Sequence, residues 1–260
     1  MNWTGLAAQA WDPSGGDEPQ WDHDYIKRLI EQNAGPALDV GCGTGRLLLR
    51  YLCAGLDVDG VDTSADMLTI CREKARRQGL APTLYQQSMQ ALDLPRKYKA
   101  IFIPCGTFCL ITDRGEAFEA LRRFYAHLEP GGILVFNLFW VFGDGEPLSG
   151  RPLGGEGEWG ALWSHTQPDG GVIAQHVKRE SINRIEQLLL AKRRYQLIRD
   201  EQVVAEEVFD SNERWYFKHE MALLLEKTGF RDIQVKAGWT DDDFTDRQQH
   251  NVMVFIARKA

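Results

Sequence analysis

Ala37-Leu38-Asp39-Val40-Gly41-Cys42-Gly43-Thr44-Gly45-Arg46 decides the fold of this chain. A short apolar run ends in three glycines on alternate positions, and Leu47-Leu48-Leu49 follows. The pattern predicts a buried strand, a tight turn and the start of a helix. Glycine takes positive φ without steric cost and lets a ligand approach backbone that carries no Cβ. The helix N-terminus beyond it offers unpaired N–H groups to an anion. The stretch therefore points to a nucleotide-like cofactor.

The spacing narrows the choice. A dinucleotide loop needs G-x-G-x-x-G, and the place of its third glycine is held by Arg46. No G-K-[ST] follows, so a Walker loop is absent. Downstream, Leu56-Asp57-Val58-Asp59-Gly60-Val61-Asp62 predicts a second strand ending at Asp62. An acid at that tip suits two ribose hydroxyls; it equally suits a helix cap, as do Thr63 and Ser64. A helix is expected from about Ser64 to Gln78, with Met67, Leu68, Cys71 and Ala75 on one face and Gly79 as its stop. Strands are expected at 83–87, 99–104 and 133–137. The D-x-x-E of Asp113–Glu116 caps a helix running to about Leu128, and Glu129-Pro130-Gly131-Gly132 ends it.

In this order the pieces resemble the class I S-adenosylmethionine (SAM) dependent methyltransferases. Their first motif reads (L/V)-(D/E)-(V/L)-G-x-G-x-G, and an Asp after strand two and a Leu-x-Pro-Gly-Gly turn before strand five go with it. The resemblance implies an α/β Rossmann-like sheet of seven strands, mostly parallel with the last antiparallel, flanked by helices. It implies SAM as cofactor and its demethylated form, SAH, as product. Asp39, Gly41, Cys42, Gly43 and Gly45 would hold the methionine end, and Asp62 with Thr63 the ribose. Met67, Ser88 and Met89 would face the adenine, and Pro104 at the end of strand four would complete the cofactor-binding set. Ser88 stands where the family usually has an acid, although a hydroxyl can accept the same hydrogen bond. Trp11-Asp12 stands where the family often has Tyr-Asp. Trp11 and Trp21 either close over the cofactor or pack as surface aromatics, and Met67 is also a plausible core residue.

The chain has 260 residues and a net charge of −7, which disfavours nucleic-acid backbones as partners. No apolar run is long enough for a membrane helix. Five scattered cysteines suit a reducing cytoplasm, and no metal-ligand spacing is present, so no metal is expected. The expected organisation is a core of residues 1–142 and 213–260 with an antiparallel β insertion, 143–212, after strand five. The insertion would cover the carboxyl ends of the core strands. Two hairpins are expected within it, although 185–194 could be helical by propensity.

Acceptor residues are less legible. Asn137 and Trp140 end strand five, Trp163 and His165 lie in the insertion, and Arg214 and Tyr216 precede the last helix. With Trp21 they form the candidate acceptor set; against it, any single tryptophan is more readily read as a core residue of a small sheet. His165 and His176 are the candidate general bases, against a surface role for each. The [ND/S]-P-P-[YFW] motif of amino-group DNA methyltransferases is absent after strand four. The arrangement looks like the bacterial small-molecule branch, implying N or O transfer to a small acceptor by a monomer or homodimer. A NAD-dependent oxidoreductase and a non-catalytic regulatory protein of the same fold are the alternatives.

Overall fold

The computed structural model describes residues 3–12, 21–139, 157–167, 169–245 and 252–260. Two helices, α1 (Gly5–Trp11) and α2 (Trp21–Asn33), precede the glycine stretch. The expected strand–turn–helix follows as β1 (Ala37–Val40) and α3 (Leu48–Cys53). β1 is buried along its whole length because strands flank it on both sides and helices cover both faces. β2 (Val58–Asp62), α4 (Ala65–Arg77), β3 (Leu84–Gln86), β4 (Tyr98–Ile103), α5 (Arg114–His127) and β5 (Leu128–Phe139) continue the alternation. Ser64 caps α4 by accepting the Met67 N–H at 3.1 Å, and Asp113 caps α5 by accepting the Glu116 N–H at 2.8 Å.

The Leu128–Gly132 stretch departs from the simple turn expected of it. β5 already begins at Leu128, which pairs with Tyr98, and the ladder resumes at Ile133 opposite Ala100. The residues between loop out, with Gly131 at φ +74°, and the strand carries on. Proline and glycine here make an irregularity within a strand.

A second, antiparallel sheet consists of β6 (Trp159–Thr166), β7 (Val172–Asn183), β8 (Leu188–Arg199), β9 (Gln202–Asp210) and the short β10 (Glu213–Arg214). The 188–194 stretch is strand, because pairing with both β7 and β9 outweighs its helical propensity. Asp200 and Glu201, at φ +48° and +62°, form the two-residue turn that matches strand twist. β10 pairs with β8, so the second sheet draws in two residues beyond position 212. The chain then returns through α6 (Lys218–Thr228) to β11 (Phe230–Ala237) and β12 (Val252–Lys259).

The first sheet has the order β11-β12-β5-β4-β1-β2-β3, with β12 antiparallel to both its neighbours. One apolar layer joins Leu38, Val40, Ile101 and Phe136 to Leu121 and Phe124 of α5 and Leu225 of α6. The other joins Ala37, Phe102 and Val135 to Ile26 of α2, Leu48 of α3 and Leu68 of α4. A third, smaller cluster packs Leu6, Ala7 and Ala10 of α1 on Ile173 and Tyr195 of the second sheet. The Leu6 N–H donates to Glu207 on β9 at 2.8 Å, and the Gly5 N–H to Asp66 on α4 at 2.8 Å. α1 thus lies between the two sheets, beside the carboxyl ends of β1, β2 and β4. No helix among the described residues is long and apolar enough to cross a membrane. Trp140 and the loop-like stretch 142–156 lie outside the described residues.

Candidate active site

A cavity of about 780 Å³ opens between the carboxyl ends of the core strands, α1 and the second sheet. Its floor is the glycine turn, and the three glycines do different work. A Cβ on Gly45 would come 2.7 Å from Cys71 Sγ and 2.8 Å from Leu49 Cγ, so this glycine lets the turn pack on α3 and α4. Gly45 does not line the cavity, unlike Gly41, Cys42 and Gly43. A Cβ on Gly43 would meet nothing nearer than 4.0 Å, where Gly41 O and Trp11 Nε1 lie. At Gly43 the turn presents bare backbone to open space.

Asp62 stands at the tip of β2 and holds the turn. Its Oδ2 accepts the Gly43 N–H at 2.9 Å, and its Oδ1 accepts the Ser64 N–H at 2.8 Å. The side-chain cap of α4 is Ser64 itself, so Asp62 does not supply that cap's hydrogen bond to the first helical turn. Each carboxylate oxygen retains acceptor capacity. Burial raises the Asp62 pKa, against the pull of the Ser64, Gly43 and Thr63 amides. Thr63, Met67, Ser88, Met89 and Pro104 line the same cavity. Met67 is 2% exposed and belongs to both core and wall. Ser88 leads a 3-10 turn, Met89–Ala91, without spending its side chain on a cap.

Two further groups face the turn from below. Asp39 is 1% exposed, and its Oδ1 has no hydrogen-bond partner. Burial pushes its pKa up to about 8, with Asp62 and Asp22 adding to the rise and Arg46 opposing it. Arg46 forms a two-point bond to Asp22 of α2, at 2.8 and 2.5 Å. Burial acts to lower the guanidinium pKa, but Asp22 and Cys105 together outweigh it and the net shift is upward. Arg46, which breaks the dinucleotide pattern, therefore ties α2 to the turn. Beyond β4, Cys105 and Gly106 are both left-handed, at φ +58° and +67°, and Asn137 Oδ1 accepts the Gly106 N–H at 3.0 Å.

The roof comes from α1. Asp12 accepts from the Thr44 hydroxyl and, at 3.0 Å, from Lys74. Trp11 lines the cavity and meets Trp3 edge-on at 4.6 Å. Trp21 reaches the rim while remaining 80% exposed.

The candidate acceptor residues divide. Asn137 and Trp163 line the cavity with Trp21. Arg214 does not: its guanidinium is buried and donates to the carbonyls of Thr112 at 2.7 Å and Glu186 at 2.6 Å. Tyr216 packs on Phe108 in the core, with ring centroids 5.7 Å apart. His165 pairs with Ile173 at the far end of β6 and does not line the cavity. His176 alternates with the cavity residues Gln175 and Val177, so it lies on the other face of the sheet, opposite Arg194. Burial there lowers its pKa, and Arg194 lowers it further. Neither histidine candidate reaches the site.

Sequence reading missed Gln175, Arg193, Tyr195 and Glu213, which form the wall on the second sheet. Gln175 donates to the Tyr195 hydroxyl at 2.8 Å, and Arg193 Nε donates to Ser211 at 2.9 Å. The alternation along β7 carried a signal for Gln175. Nothing local marked Arg193 or Glu213, whose meeting depends on strand register.

Residues 37–132 match the family model described as a methyltransferase domain. The dTDP-3-amino-3,4,6-trideoxy-alpha-D-glucopyranose N,N-dimethyltransferase of Streptomyces venezuelae is 32% identical over 155 residues, 58% of this chain and 63% of that protein. The glycine/sarcosine N-methyltransferase of Halorhodospira halochloris is 30% identical over 129 residues, 49% of this chain and 47% of that one. The chain spans about half the length of the curated relatives it matches. A crystal structure of an S-adenosylmethionine-dependent methyltransferase from Clostridium acetobutylicum ATCC 824 superposes with a TM-score of 0.75 at 18% identity, over 97% of both chains. That likeness carries the fold, and the sequence matches carry the glycine-turn half of the core. Residues 37–132 are thus similar to a methyltransferase domain, carried on the fold of a solved S-adenosylmethionine-dependent methyltransferase.

Proposed function

We propose that the protein transfers a methyl group from SAM to a nitrogen or oxygen of a small-molecule acceptor. One observation carries the reading. The bare backbone at Gly43, the Asp62 carboxylate and the uncommitted Ser88 side chain all face one cavity, which continues to a wall on the second sheet. The residues present fit the cofactor. Open space over Gly43 admits its amino-acid portion, Asp62 retains acceptors for a ribose diol, and Ser88 with Met67 and Met89 suits an adenine. The unpartnered Oδ1 of Asp39 suits a cationic group near the turn. When bound, SAM supplies a methyl activated by the sulfonium charge. The chain's own part is to orient both ligands and exclude water, which the α1 roof and the second sheet favour. The aminosugar and glycine/sarcosine relatives support the small-molecule class.

The test is calorimetric titration with SAH and, separately, NADH. SAH is expected to bind and NADH not. Asp62→Ala should weaken SAH at least about tenfold, the worth of a charged hydrogen bond. Wild-type affinity in Asp62→Ala would remove the ribose assignment, and binding of NADH alone would favour the oxidoreductase.

A further inference from the structure

We infer that Glu213 is the group that receives the acceptor, and that the acceptor is an amine which arrives protonated; this rests on the methyltransferase reading above. No histidine or lysine among the described residues lines the cavity. Its acids are Asp22, Asp39, Asp62, Glu116 and Glu213, and its cations are Arg46 and Arg193. Arg46 is taken up by Asp22, Asp62 holds the glycine turn, and Glu116 is an exposed rim residue in the first turn of α5. Asp39 lies on β1 beneath the glycine turn, where its free oxygen suits the cofactor end of the cavity, so Glu213 is the acid on the second-sheet wall. Its side chain is 16% exposed, and Arg193 approaches it only to 3.8 Å while spending Nε on Ser211. Arg214, the next residue, turns away to Thr112 and Glu186. The thiol of Cys109, pushed up to about 12 chiefly by burial and further by Glu213, adds no charge. Burial likewise raises Glu213, with Arg193 opposing. A carboxylate so placed draws in an ammonium by its charge, and the burial that raises its pKa favours passage of the proton to its oxygen. In that step one N–H bond breaks and one O–H bond forms on Glu213, which frees the nitrogen lone pair. An anionic acceptor would meet a wall with one cation, Arg193, and a net negative cavity.

The experiment uses the SAH-loaded protein and two probes of one shape, 4-fluorobenzylamine and 4-fluorobenzyl alcohol, followed by fluorine NMR line broadening at pH 7. The amine is expected to bind about tenfold more tightly or better, as a charge-assisted hydrogen bond gives. Glu213→Gln should abolish that preference while alcohol and SAH affinities stay within about twofold. Glu116→Gln, on the rim, should keep it. Equal binding of the two probes by the wild type, at any level including none, overturns the inference, as does an amine preference that survives in Glu213→Gln. Failure of SAH itself to bind would instead overturn the methyltransferase reading, so the two failures are separable.

Discussion

Removing one partner of the Arg46–Asp22 pair should cost more than removing both. The two side chains are 7% and 5% exposed, and two short hydrogen bonds join them. Arg46→Met leaves Asp22 as a buried carboxylate with no counter-ion; Asp22→Leu leaves a buried guanidinium. Either change should lose about 3–5 kcal/mol, whereas the double variant returns close to wild type because apolar groups replace both charges. For a chain of this size each kcal/mol moves the midpoint by about 2–4 °C, so each single variant should melt roughly 6–20 °C lower. Melting the four proteins by circular dichroism at pH 7 reads all of this. Single variants within about 1 kcal/mol of wild type, or a double variant that loses the sum of the singles, would refute the assignment of this pair as a mutually dependent buried unit.

The glycine turn gives a second contrast. Gly45→Ala meets Cys71 and Leu49 below 3 Å and should lower the melting point clearly, whereas Gly43→Ala should cost only about 1–2 kcal/mol, from its left-handed φ of +54°. SAH affinity should show the reverse order relative to stability lost, falling most per unit of stability in Gly43→Ala; calorimetry on both variants checks it. Asp39 supplies a third. Its folded pKa, raised to about 8 from 3.8, means the folded state binds the extra proton, so this group's contribution is present at low pH and lost as pH rises towards 8. Ligand-free Asp39→Asn should therefore gain on wild type between pH 6 and 8.5 in thermal melts, while binding SAH more weakly; parallel melting curves across that range would count against a buried, unpaired carboxyl.

The first half of the core was legible because its signals are local. The alternating glycines and the caps at Ser64 and Asp113 act within a few residues, and Asp62 simply ends its own strand, so spacing places them even though the Asp62 bond to Gly43 spans 19 positions. The second-sheet wall was not legible for the opposite reason. His165, Arg214 and Tyr216 were attractive by chemistry, but strand register and burial send Arg214 to two carbonyls and Tyr216 into the core. His176 fell to the period of two: one position along β7 separates it from Gln175, which reaches the cavity. The 188–194 stretch shows the same dependence, since only its partners β7 and β9 make it strand.

The placement of α1 has a consequence for the order in which the molecule matures. Asp12 reaches Thr44 and Lys74, which are made early, but Leu6 bonds to Glu207, 201 positions away, so one side of the helix docks onto a surface that does not exist until β9 is made. Contacts of such separation carry a large loop-closure cost and form late. During synthesis this helix emerges 201 positions ahead of its partner on β9 and waits for it. The cavity is thus roofed by a helix made long before its last wall, and a chain cut before β9 would hold the glycine elbow with that helix lacking its partner strand.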